Sequence, residues 1–276
     1  MSGTIIVGVT DAASSRSARD WAARRARETG RSLLLLAVVG GAVGAVGEDE
    51  VVARVVAAAR ARLERDAAEL SASGVDVQIR VDSGNPVERL VEASAEAELL
   101  VIGGEPRGQG HRGQHGRRIA AGAHCPVVVV PEDDGVARAG IVVGVDGSDV
   151  SDAAIDFAAA EAARTGEPLT LVSAWMPVAV PGDFGMYPDL YLTDLESITR
   201  AGVDRVAERV RADHPQLEVG VVVSEGEPAV VIGEQARSAR LTVVGSHGRG
   251  AFARFLLGSV SEEVVGHLVS ATAIVR

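Results

Sequence analysis

The residues best suited to chemistry lie near the end of the chain, in a glycine-rich stretch that follows a short apolar run. Leu241–Val244 is apolar and largely β-branched, and it stops at Gly245, as a buried parallel strand does where it meets a loop. Gly248 and Gly250 follow closely. Glycine permits φ > 0 and lets backbone N–H groups approach a ligand without a Cβ atom in the way. The pattern predicts a loop that holds an anion through its backbone.

A helix is predicted directly after this loop, at 259–268, and it opens at Gly258 and Ser259. The first N–H groups of a helix have no intrahelical acceptor and lie at the positive end of the helix dipole. Together with the hydroxyls of Ser259 and Ser261, these groups favour an anion such as phosphate. The alternative is a flexible loop with a serine N-cap. We favour phosphate, because strand, glycine loop and serine-capped helix follow in that order.

Composition limits the class of protein. The 276 residues suffice for two domains of typical size. Hydrophobic residues make up 47% of the chain but aromatic residues only 3%, so the core must consist of Val, Ala, Leu and Ile, which suits parallel strands between alanine-rich helices. The net charge of −11 argues against a nucleic-acid partner, because nucleic acids are bound mainly through Lys and Arg.

Several features predict a cytoplasmic protein without a membrane segment. The chain enters a strand directly, without the basic start and cleavage site of a signal peptide, and no apolar run reaches the ~18 residues of a membrane span. The single cysteine, Cys125, excludes an internal disulfide. It precedes Pro126 at the start of an apolar strand, so we expect it to pack in the core. The Cys and His residues lack metal-ligand spacing.

The chain repeats itself, which indicates a duplicated domain. Ile5–Val9 matches Ile141–Val145 at an offset of 136, and the match continues through the next helix and its glycine stop. Further along, Val101–Gly103 matches Val243–Gly245 at an offset of 142. Chance would not keep this register across a strand, a helix and a turn.

Each repeat alternates strands and helices, so we predict an α/β fold with two tandem, open, five-stranded parallel sheets covered by helices on both faces. The domains are predicted at 1–133 and 139–276, with a polar linker at 131–140. Ligands bind such sheets beyond the carboxyl ends of the strands, where the strand order reverses. The predicted strands are 4–9, 33–39, 75–81, 99–102 and 126–130, then 140–145, 169–175, 217–223, 241–244 and 271–275.

The first strand of each repeat ends at the same edge of its sheet. In the second repeat it is followed by Asp146, Gly147 and Ser148. The carboxylate of Asp146 could accept hydrogen bonds from an adenine amino group or a ribose hydroxyl, and Ser148 could cap the next helix. An ordinary strand-to-helix turn has the same composition, and both interpretations stay open. In the first repeat the carboxylate, Asp11, is displaced by one position.

Three motifs together resemble the universal stress protein family. They are residues 143–148 at the first strand of the second repeat, Gly226-Glu227-Pro228 before its third helix, and the spacing Gly245, Gly248, nine residues, Gly258, Ser259. The resemblance covers nearly the whole chain as two tandem copies of the family's domain. It implies a Rossmann-like sheet with strand order 3-2-1-4-5, ATP binding in many members, dimerisation, and regulation of a stress response rather than a defined turnover reaction.

Carried over to this sequence, the resemblance implies that the second domain binds an adenine nucleotide, ATP with or without Mg²⁺, and it identifies no catalytic residue and no metal ligand. Gly144, Val145 and Asp146 would lie on the adenine and ribose side, and Ala174 would offer backbone groups to adenine. The residues implied to hold ribose and phosphates are Gly245, Ser246, His247, Gly248, Arg249, Gly250, Gly258, Ser259, Val260 and Ser261.

The first repeat departs from this pattern. Gly103 is present, but Pro106 stands at the second glycine position and supplies no N–H. The third glycine is Gly116 if no gap is allowed, or Gly113 if the count runs back from Cys125, and neither is followed by Ser or Thr. The segment 107–118 is rich in Arg, His and Gly. Phosphate binding by its side chains is one reading, but a solvated loop is more ordinary, so we expect the second domain alone to bind nucleotide.

Other residues support smaller predictions. The loop 176–192 holds both tyrosines and three prolines, which predicts a lid or a contact surface. His247 is expected to contact a ligand rather than to catalyse. His124, His214 and His267 lie near predicted helix ends, where a cation offsets the dipole.

Two alternatives to nucleotide-dependent regulation remain. A slow ATPase needs groups that bridge phosphates, and all 27 basic residues are arginines, so the usual lysine-bearing phosphate loop is excluded. An interaction scaffold would use the apolar fifth strands, Val127–Val130 and Ala273–Val275, which proteins rarely leave exposed. We therefore expect a homodimer or an intramolecular pseudo-dimer of the two domains.

Overall fold

The computed structural model describes residues 3–40, 48–104, 113–177, 189–248 and 257–276. The chain divides into two compact units, Met1–Gly135 and Val136–Arg276. Each unit is an α/β domain with one parallel sheet, which confirms the predicted fold class.

The first unit contains five strands in the order β3-β2-β1-β4-β5. Its helices fill the connections between successive strands, as parallel pairing requires. The elements are β1 (Thr4–Gly8), α1 (Ala13–Thr29), β2 (Ser32–Val39), α2 (Glu48–Ala72), β3 (Val77–Ser83), α3 (Pro86–Ala93), a 3₁₀ turn (Ser94–Glu96), β4 (Leu99–Gly103), α4 (Gly113–Gly122) and β5 (Val127–Val130).

The second unit repeats this arrangement in the order β8-β7-β6-β9-β10. Among the described residues, both units therefore have the order 3-2-1-4-5 that the family resemblance implies. The elements are β6 (Ile141–Gly144), α5 (Asp149–Thr165), β7 (Leu169–Trp175), α6 (Asp189–Asp213), β8 (Val219–Glu225), α7 (Pro228–Ala236), β9 (Leu241–Gly245), α8 (Ser259–Gly266) and β10 (Ala271–Val275).

Helices cover both faces of the second sheet. A Cβ built on Gly144 would meet Ile232 of α7, whereas one built on Gly245 would meet Val150 of α5. The Cβ built on Gly144 would also meet Val244, so Gly144 and Val244 face the same side of the sheet, while Gly245, the next residue, faces the other side. Helices α7 and α5 therefore lie on opposite faces. Arg209 of α6 forms ion pairs with α5. The central strands β6 and β9 are consequently buried on both sides, and Val, Leu and Ile predominate in them beside the buried Thr242.

Two strands begin and end two residues later than predicted. β3 occupies 77–83 rather than 75–81, and β8 occupies 219–225 rather than 217–223. Val75 donates its N–H to Leu70 at the end of α2, and Leu217 donates to His214 after α6. These bonds hold both residues in the helix-to-strand turn. The strands continue through polar residues because their neighbours, β2 and β7, continue beside them.

Cys125 is buried, as expected, and burial raises the pKa of its thiol to about 11. A thiol with such a pKa stays protonated near neutral pH and is a poor nucleophile, which supports a packing role. Across the described segments, none of the helices combines the length and apolar character needed to cross a bilayer.

Candidate functional site

The second unit brings the predicted site residues to the carboxyl edge of its sheet. β6 ends at Gly144, and its neighbour β9 ends at Gly245. β7 pairs with the other side of β6, so the strand order reverses between β6 and β9. Open α/β sheets bind ligands in the crevice at such a reversal. Asp146 and the glycine loop follow the two strands that form it.

Asp146 has a defined orientation because the next residues hold its carboxylate. Its Oδ1 accepts hydrogen bonds from the backbone N–H of Ser148 at 2.9 Å and from the Ser148 hydroxyl at 2.7 Å. The same hydroxyl oxygen accepts from the N–H of Ser151 at 3.2 Å, which confirms Ser148 as the N-cap of α5. The backbone N–H of Asp146 donates to Ser151 Oγ. The turn therefore caps the helix and holds the carboxylate in place, while an adenine or ribose contact of Asp146 stays a prediction.

The other carboxylate oxygen, Oδ2 of Asp146, lies against Gly248. A Cβ built on Gly248 would overlap this oxygen, so a side chain does not fit there without a shift. The contact joins the turn after β6 to the glycine loop after β9. Position 248 requires glycine because of this close approach to Asp146. Its backbone is not in the left-handed region, since Gly248 does not have a positive φ.

Ser246 connects the glycine loop to β10 and to α8. Its N–H donates to the carbonyl oxygen of Val275 at 2.6 Å, and its own carbonyl accepts from the N–H of Gly258 at 2.8 Å. The Ser261 hydroxyl donates to the same carbonyl at 2.9 Å. Ser246 is only 2% exposed. The family resemblance implies a ligand contact for Ser246, and the sequence carries no signal for this structural role.

The start of α8 packs directly on the backbone of the glycine loop. A Cβ built on Gly258 would lie 3.1 Å from the Cα of His247 and 3.5 Å from the N of Gly248, closer than ordinary van der Waals contact for the first pair. Both glycines therefore permit a close approach that a Cβ would prevent. At Gly258 the approach is to the backbone of His247, and at Gly248 it is to the carboxylate of Asp146.

The amino terminus of α8 differs from the prediction in one respect. Its N-cap is Gly258, with φ −65° and ψ 155°, and Ser259 is the first helical residue, so the predicted serine cap is wrong. The N–H of Glu262 makes the first intrahelical bond, to the Gly258 carbonyl at 2.9 Å. The helix therefore offers no acceptor to the N–H groups of residues 259–261. Ser259 is exposed.

Ser261 uses its hydroxyl within the protein. The hydroxyl donates to the carbonyls of Ser246 and Gly258, at 2.9 Å in each case, and the residue is 2% exposed. A serine hydroxyl has one proton to donate, so this geometry assigns the side chain to loop closure. A phosphate contact through the Ser261 side chain stays a prediction, and its backbone N–H belongs to the open first turn.

His247 is half-buried and oriented by its neighbour. Its Nδ1 lies 2.9 Å from Ser246 Oγ, and the tautomer decides which atom donates. This bond occupies one ring nitrogen and leaves Nε2 for a second contact. Among the described residues, the side-chain partner of the ring is Ser246, and a ligand contact of His247 stays a prediction.

The backbone groups of Ala174 point toward the gap beyond the end of β6, and an adenine contact there stays a prediction. Trp175 accepts a hydrogen bond through its carbonyl from Gly226, beyond β8. Backbone groups of successive strand residues point to opposite neighbours, so those of Ala174 point toward β6. β6 has ended at Gly144, opposite Val172, and the last bond across this gap runs from Val145 N–H to the Val172 carbonyl at 2.8 Å. The backbone of Ala174 thus faces the crevice beyond β6.

Some predicted features lie outside the described residues. These are Arg249 and Gly250 of the glycine loop, and residues 178–188 of the predicted lid. Residues 189–192, which we assigned to the lid, form the first turn of α6. Within the described ranges, no group of three or more His, Cys, Asp or Glu side chains could hold a metal ion by itself.

Within the described residues, the corresponding edge of the first unit shows no such carboxylate contact. The offset of 136 places Thr10 at the position of Asp146, and its Oγ1 accepts from the N–H of Ala12 at 3.3 Å. Asp11 forms an ion pair with Arg62 of α2, and its side chain is 91% exposed. One feature is shared, because the N–H of Thr10 donates to Ser15 Oγ at 2.9 Å, as that of Asp146 does to Ser151.

The structure favours one of the two alignments of the third glycine in the first unit. α4 begins at Gly113, and Gly116 lies inside the helix. In the paired strands, Val101 aligns with Val128 and Val243 with Ala273, so β5 and β10 differ by 145 residues. The same offset relates Gly113 to Gly258, and Gln114 then replaces Ser259. Pro106 lies outside the described residues.

Comparison with known proteins agrees with these observations. The model of the universal stress protein family matches residues 1–131 and 139–276. A universal stress protein of Mycobacterium tuberculosis is 33% identical over 95% of this chain and 92% of its own length. One of Mycolicibacterium smegmatis is 31% identical over 99% of this chain and 96% of its own length.

The crystal structure of a universal stress protein from Archaeoglobus fulgidus has the same fold. The two superpose with a TM-score of 0.71 over 99% of this chain and 95% of the other, at 19% sequence identity. The family model covers both repeats, and the mycobacterial relatives cover nearly the whole chain. This chain belongs to the universal stress protein family, as a member with two tandem domains.

Proposed function

We propose that this protein is a regulatory universal stress protein that binds one adenine nucleotide, ATP, at the carboxyl edge of its second sheet. The observation that carries the proposal is the contact of the Asp146 carboxylate with Gly248. Ser246, in the same glycine loop as Gly248, is bonded to Gly258, which precedes the open first turn of α8. One crevice therefore offers a carboxylate and a helix amino terminus together.

Each part of a nucleotide has a chemically matched group in this crevice. The Asp146 carboxylate, which Ser148 holds in place through Oδ1, has the charge and acceptor chemistry that a ribose hydroxyl needs. The N–H groups of residues 259–261 and the hydroxyl of Ser259 are donors for phosphate oxygens. The backbone of Ala174 supplies the donor and acceptor that an adenine edge needs.

Binding would stabilise the closure of the loop on α8. Ser246 holds the loop, β10 and α8 together through three hydrogen bonds, and a phosphate at α8 adds contacts to the same assembly. A ligand that binds only the folded state stabilises it by RT ln(1 + [L]/Kd), which is about 2.7 kcal/mol at a hundredfold excess over Kd. Bound nucleotide would thus make the chain more rigid where β9 and β10 end.

Regulation fits the site better than turnover. The chain has no lysine to bridge phosphates, and His247 is paired with Ser246 through Nδ1 rather than with a carboxylate. Mg²⁺ that accompanies ATP would be held mainly by phosphate oxygens and water, as this ion often is. A slow ATPase would instead release phosphate at a rate that falls in His247→Ala.

The test is Ser259→Glu, with Ile198→Glu as its control. Ser259 is the exposed first residue of α8, and a glutamate there favours the helix dipole, so the fold is retained while a negative charge occupies the phosphate position. Ile198 is 69% exposed on α6 and gives the same change in net charge elsewhere. Substitution at Gly258 is less clean, because a Cβ there presses on His247.

Isothermal titration with ATP is expected to give about one site per chain for the wild type and Ile198→Glu, and at least a tenfold loss of affinity for Ser259→Glu. Mass spectrometry of the small molecule that co-purifies with each variant identifies ATP, ADP or AMP. Equal affinity in Ser259→Glu would contradict the phosphate position, and two equivalent sites per chain would contradict the restriction to the second unit.

A further inference from the structure

The outer strands of the two sheets differ in how their edges are protected. β3 in the first unit and β8 in the second are the last strands on their side, and within the described residues neither has a further strand partner. Such an edge carries a row of unpaired backbone groups, which proteins usually guard with charged side chains. β3 carries Arg80 and Asp82, bonded to each other at 2.9 Å. At the same positions β8 carries Val222 and Ser224.

The hydrogen-bond register identifies the backbone groups that β8 leaves open. Glu218 accepts from Leu169, and Gly226 donates to Trp175, so even-numbered residues point toward β7. Odd-numbered residues consequently point outward. The carbonyl of Val219 accepts from the guanidinium of Arg211 at 2.6 Å. In the part of the chain that is described, the outward N–H and C=O groups of Val221 and Val223 have no such partner.

The side chains around these groups are apolar or small. α6 covers one face of β8, while α7 packs mainly on β6 and β7. The face turned away from α6 therefore presents Val222, which is half-buried, and Gly220, which is exposed. A Cβ built on Gly220 would meet no atom closer than 3.7 Å. This edge is open and carries no charged side chain from Gly220 to Ser224.

We propose that β8 is the interaction surface for a second copy of this chain, with the two β8 strands paired antiparallel about Val222. In this register Val221 of each copy lies opposite Val223 of the other, and each such pair exchanges two backbone hydrogen bonds. Val222 faces its own counterpart in a close, non-hydrogen-bonded pair. A twofold axis satisfies the open groups of both edges at once.

Charge complementarity favours a second copy over an unrelated strand. The register places Val219 opposite Glu225 of the second copy. Arg211 is bonded to the Val219 carbonyl, and both Val219 and Glu225 point their side chains to the α6 face, so Arg211 of one copy lies beside Glu225 of the other. The pair occurs twice across the axis. A short strand-to-strand interface buries little area, so weak and reversible association is expected.

Analytical ultracentrifugation of the full chain, from about 5 to about 500 µM, tests this proposal. The wild type is expected to shift reversibly from the 28.4 kDa monomer toward a dimer. We call Arg80 and Asp82 the guard pair of β3. The double variant Val222→Arg, Ser224→Asp places the same two residue types on β8, and we expect it to raise the dimer dissociation constant at least tenfold. Circular dichroism and a thermal melt show whether this variant is folded.

A proline pair provides the matched control. Val221→Pro removes one outward N–H, which an edge strand tolerates, and it is expected to weaken the dimer. Ile79→Pro removes the corresponding outward N–H of β3 and should leave the dimer unchanged. Arg211→Glu and Glu225→Arg should each weaken association, and their combination should restore it.

A chain that stays monomeric at the highest concentration overturns the proposal. A dimer that forms equally well in the double variant Val222→Arg, Ser224→Asp and in Val221→Pro also overturns it, because such a dimer must use another surface. ATP affinity is expected to stay unchanged in all of these variants, so the result is independent of the proposed nucleotide site.

Discussion

The two halves of this protein share one order of strands and helices, yet they differ at the edge where an α/β sheet binds ligands. The second unit places the Asp146 carboxylate against Gly248, beside an open helix amino terminus. The first unit has Thr10 at that position, and its nearest carboxylate, Asp11, is 91% exposed and paired with Arg62. The two units therefore share one framework, while the proposed ligand residues occur in the second unit, because packing and ligand contacts depend on different residues.

The shared features are those that hold the turn. In both units a serine in the first turn of the following helix, Ser15 or Ser151, accepts a hydrogen bond from the backbone N–H two residues after the strand. In both, the fourth strand ends at a glycine, Gly103 or Gly245, where a Cβ would lie only 2.7 Å or 3.0 Å from an atom in the first turn of a helix. The comparison separates framework residues, present twice, from candidate ligand residues, present once.

The largest effect is expected from Asp146→Asn, with Asp11→Asn as its control. Asparagine keeps an oxygen for the two bonds from Ser148 but replaces the acceptor at Oδ2 with a donor. Loss of a charge-assisted bond to ribose predicts a drop in ATP affinity of about 10- to 100-fold. Titration calorimetry measures it. If Asp11→Asn weakens binding as much as Asp146→Asn, the assignment of the site to the second unit is incorrect.

The next effect concerns the closure of the loop on α8. Gly258→Ala places a Cβ 3.1 Å from the His247 Cα, so the loop must shift, and we expect a loss of about 1–3 kcal/mol in stability and at least a fivefold weaker ATP affinity. Gly266→Ala, in the same helix, meets no atom within 4 Å and should leave the loop intact. Chemical denaturation and calorimetry distinguish the two. Equal behaviour would show that the loop adapts freely.

A smaller effect is expected at the helix caps. Ser148→Ala removes the N-cap of α5 and one bond to Asp146, so it should cost about 1 kcal/mol in stability and weaken ATP binding a few-fold. Asn85→Ala removes the N-cap of α3 in the first unit and should cost a similar free energy without changing ATP affinity. A change in ATP affinity for Asn85→Ala would mean that the first unit takes part in binding.

The smallest effect concerns the guard pair of β3. The hydrogen bond from Arg80, with its charge, holds the pKa of Asp82 below its usual value. A lowered pKa in the folded state adds stability above the ordinary pKa of about 3.9, and this stability is lost as pH falls through the folded value.

Asp82→Asn should therefore lower the free energy of unfolding by less than about 1 kcal/mol at pH 7, because the pair is partly exposed, and the difference should vanish toward pH 2. Urea denaturation at both pH values, repeated in an Arg80→Gln background, measures the pair. A difference that persists at low pH would assign the effect to packing.

The sequence alone determined the duplicated α/β framework, the family and the asymmetry between the repeats. These follow from local patterns, since apolar runs predict strands, and the spacing of Gly245, Gly248 and Gly258 survives only in the second repeat. Strand ends were less predictable. Asp82 and Ser224 are polar and resemble loop residues, yet they pair because the neighbouring strands extend beside them.

Only the tertiary structure decided which polar groups meet. Nothing local to Ser246 indicates that its backbone joins β10 to α8, or that Gly258 rather than Ser259 caps the helix. The contact of Asp146 with Gly248 arises because β6 and β9 are neighbours in the sheet, although they lie far apart in the sequence. Residue type sets the chemistry that a side chain can perform, whereas long-range strand pairing sets the partner it can reach.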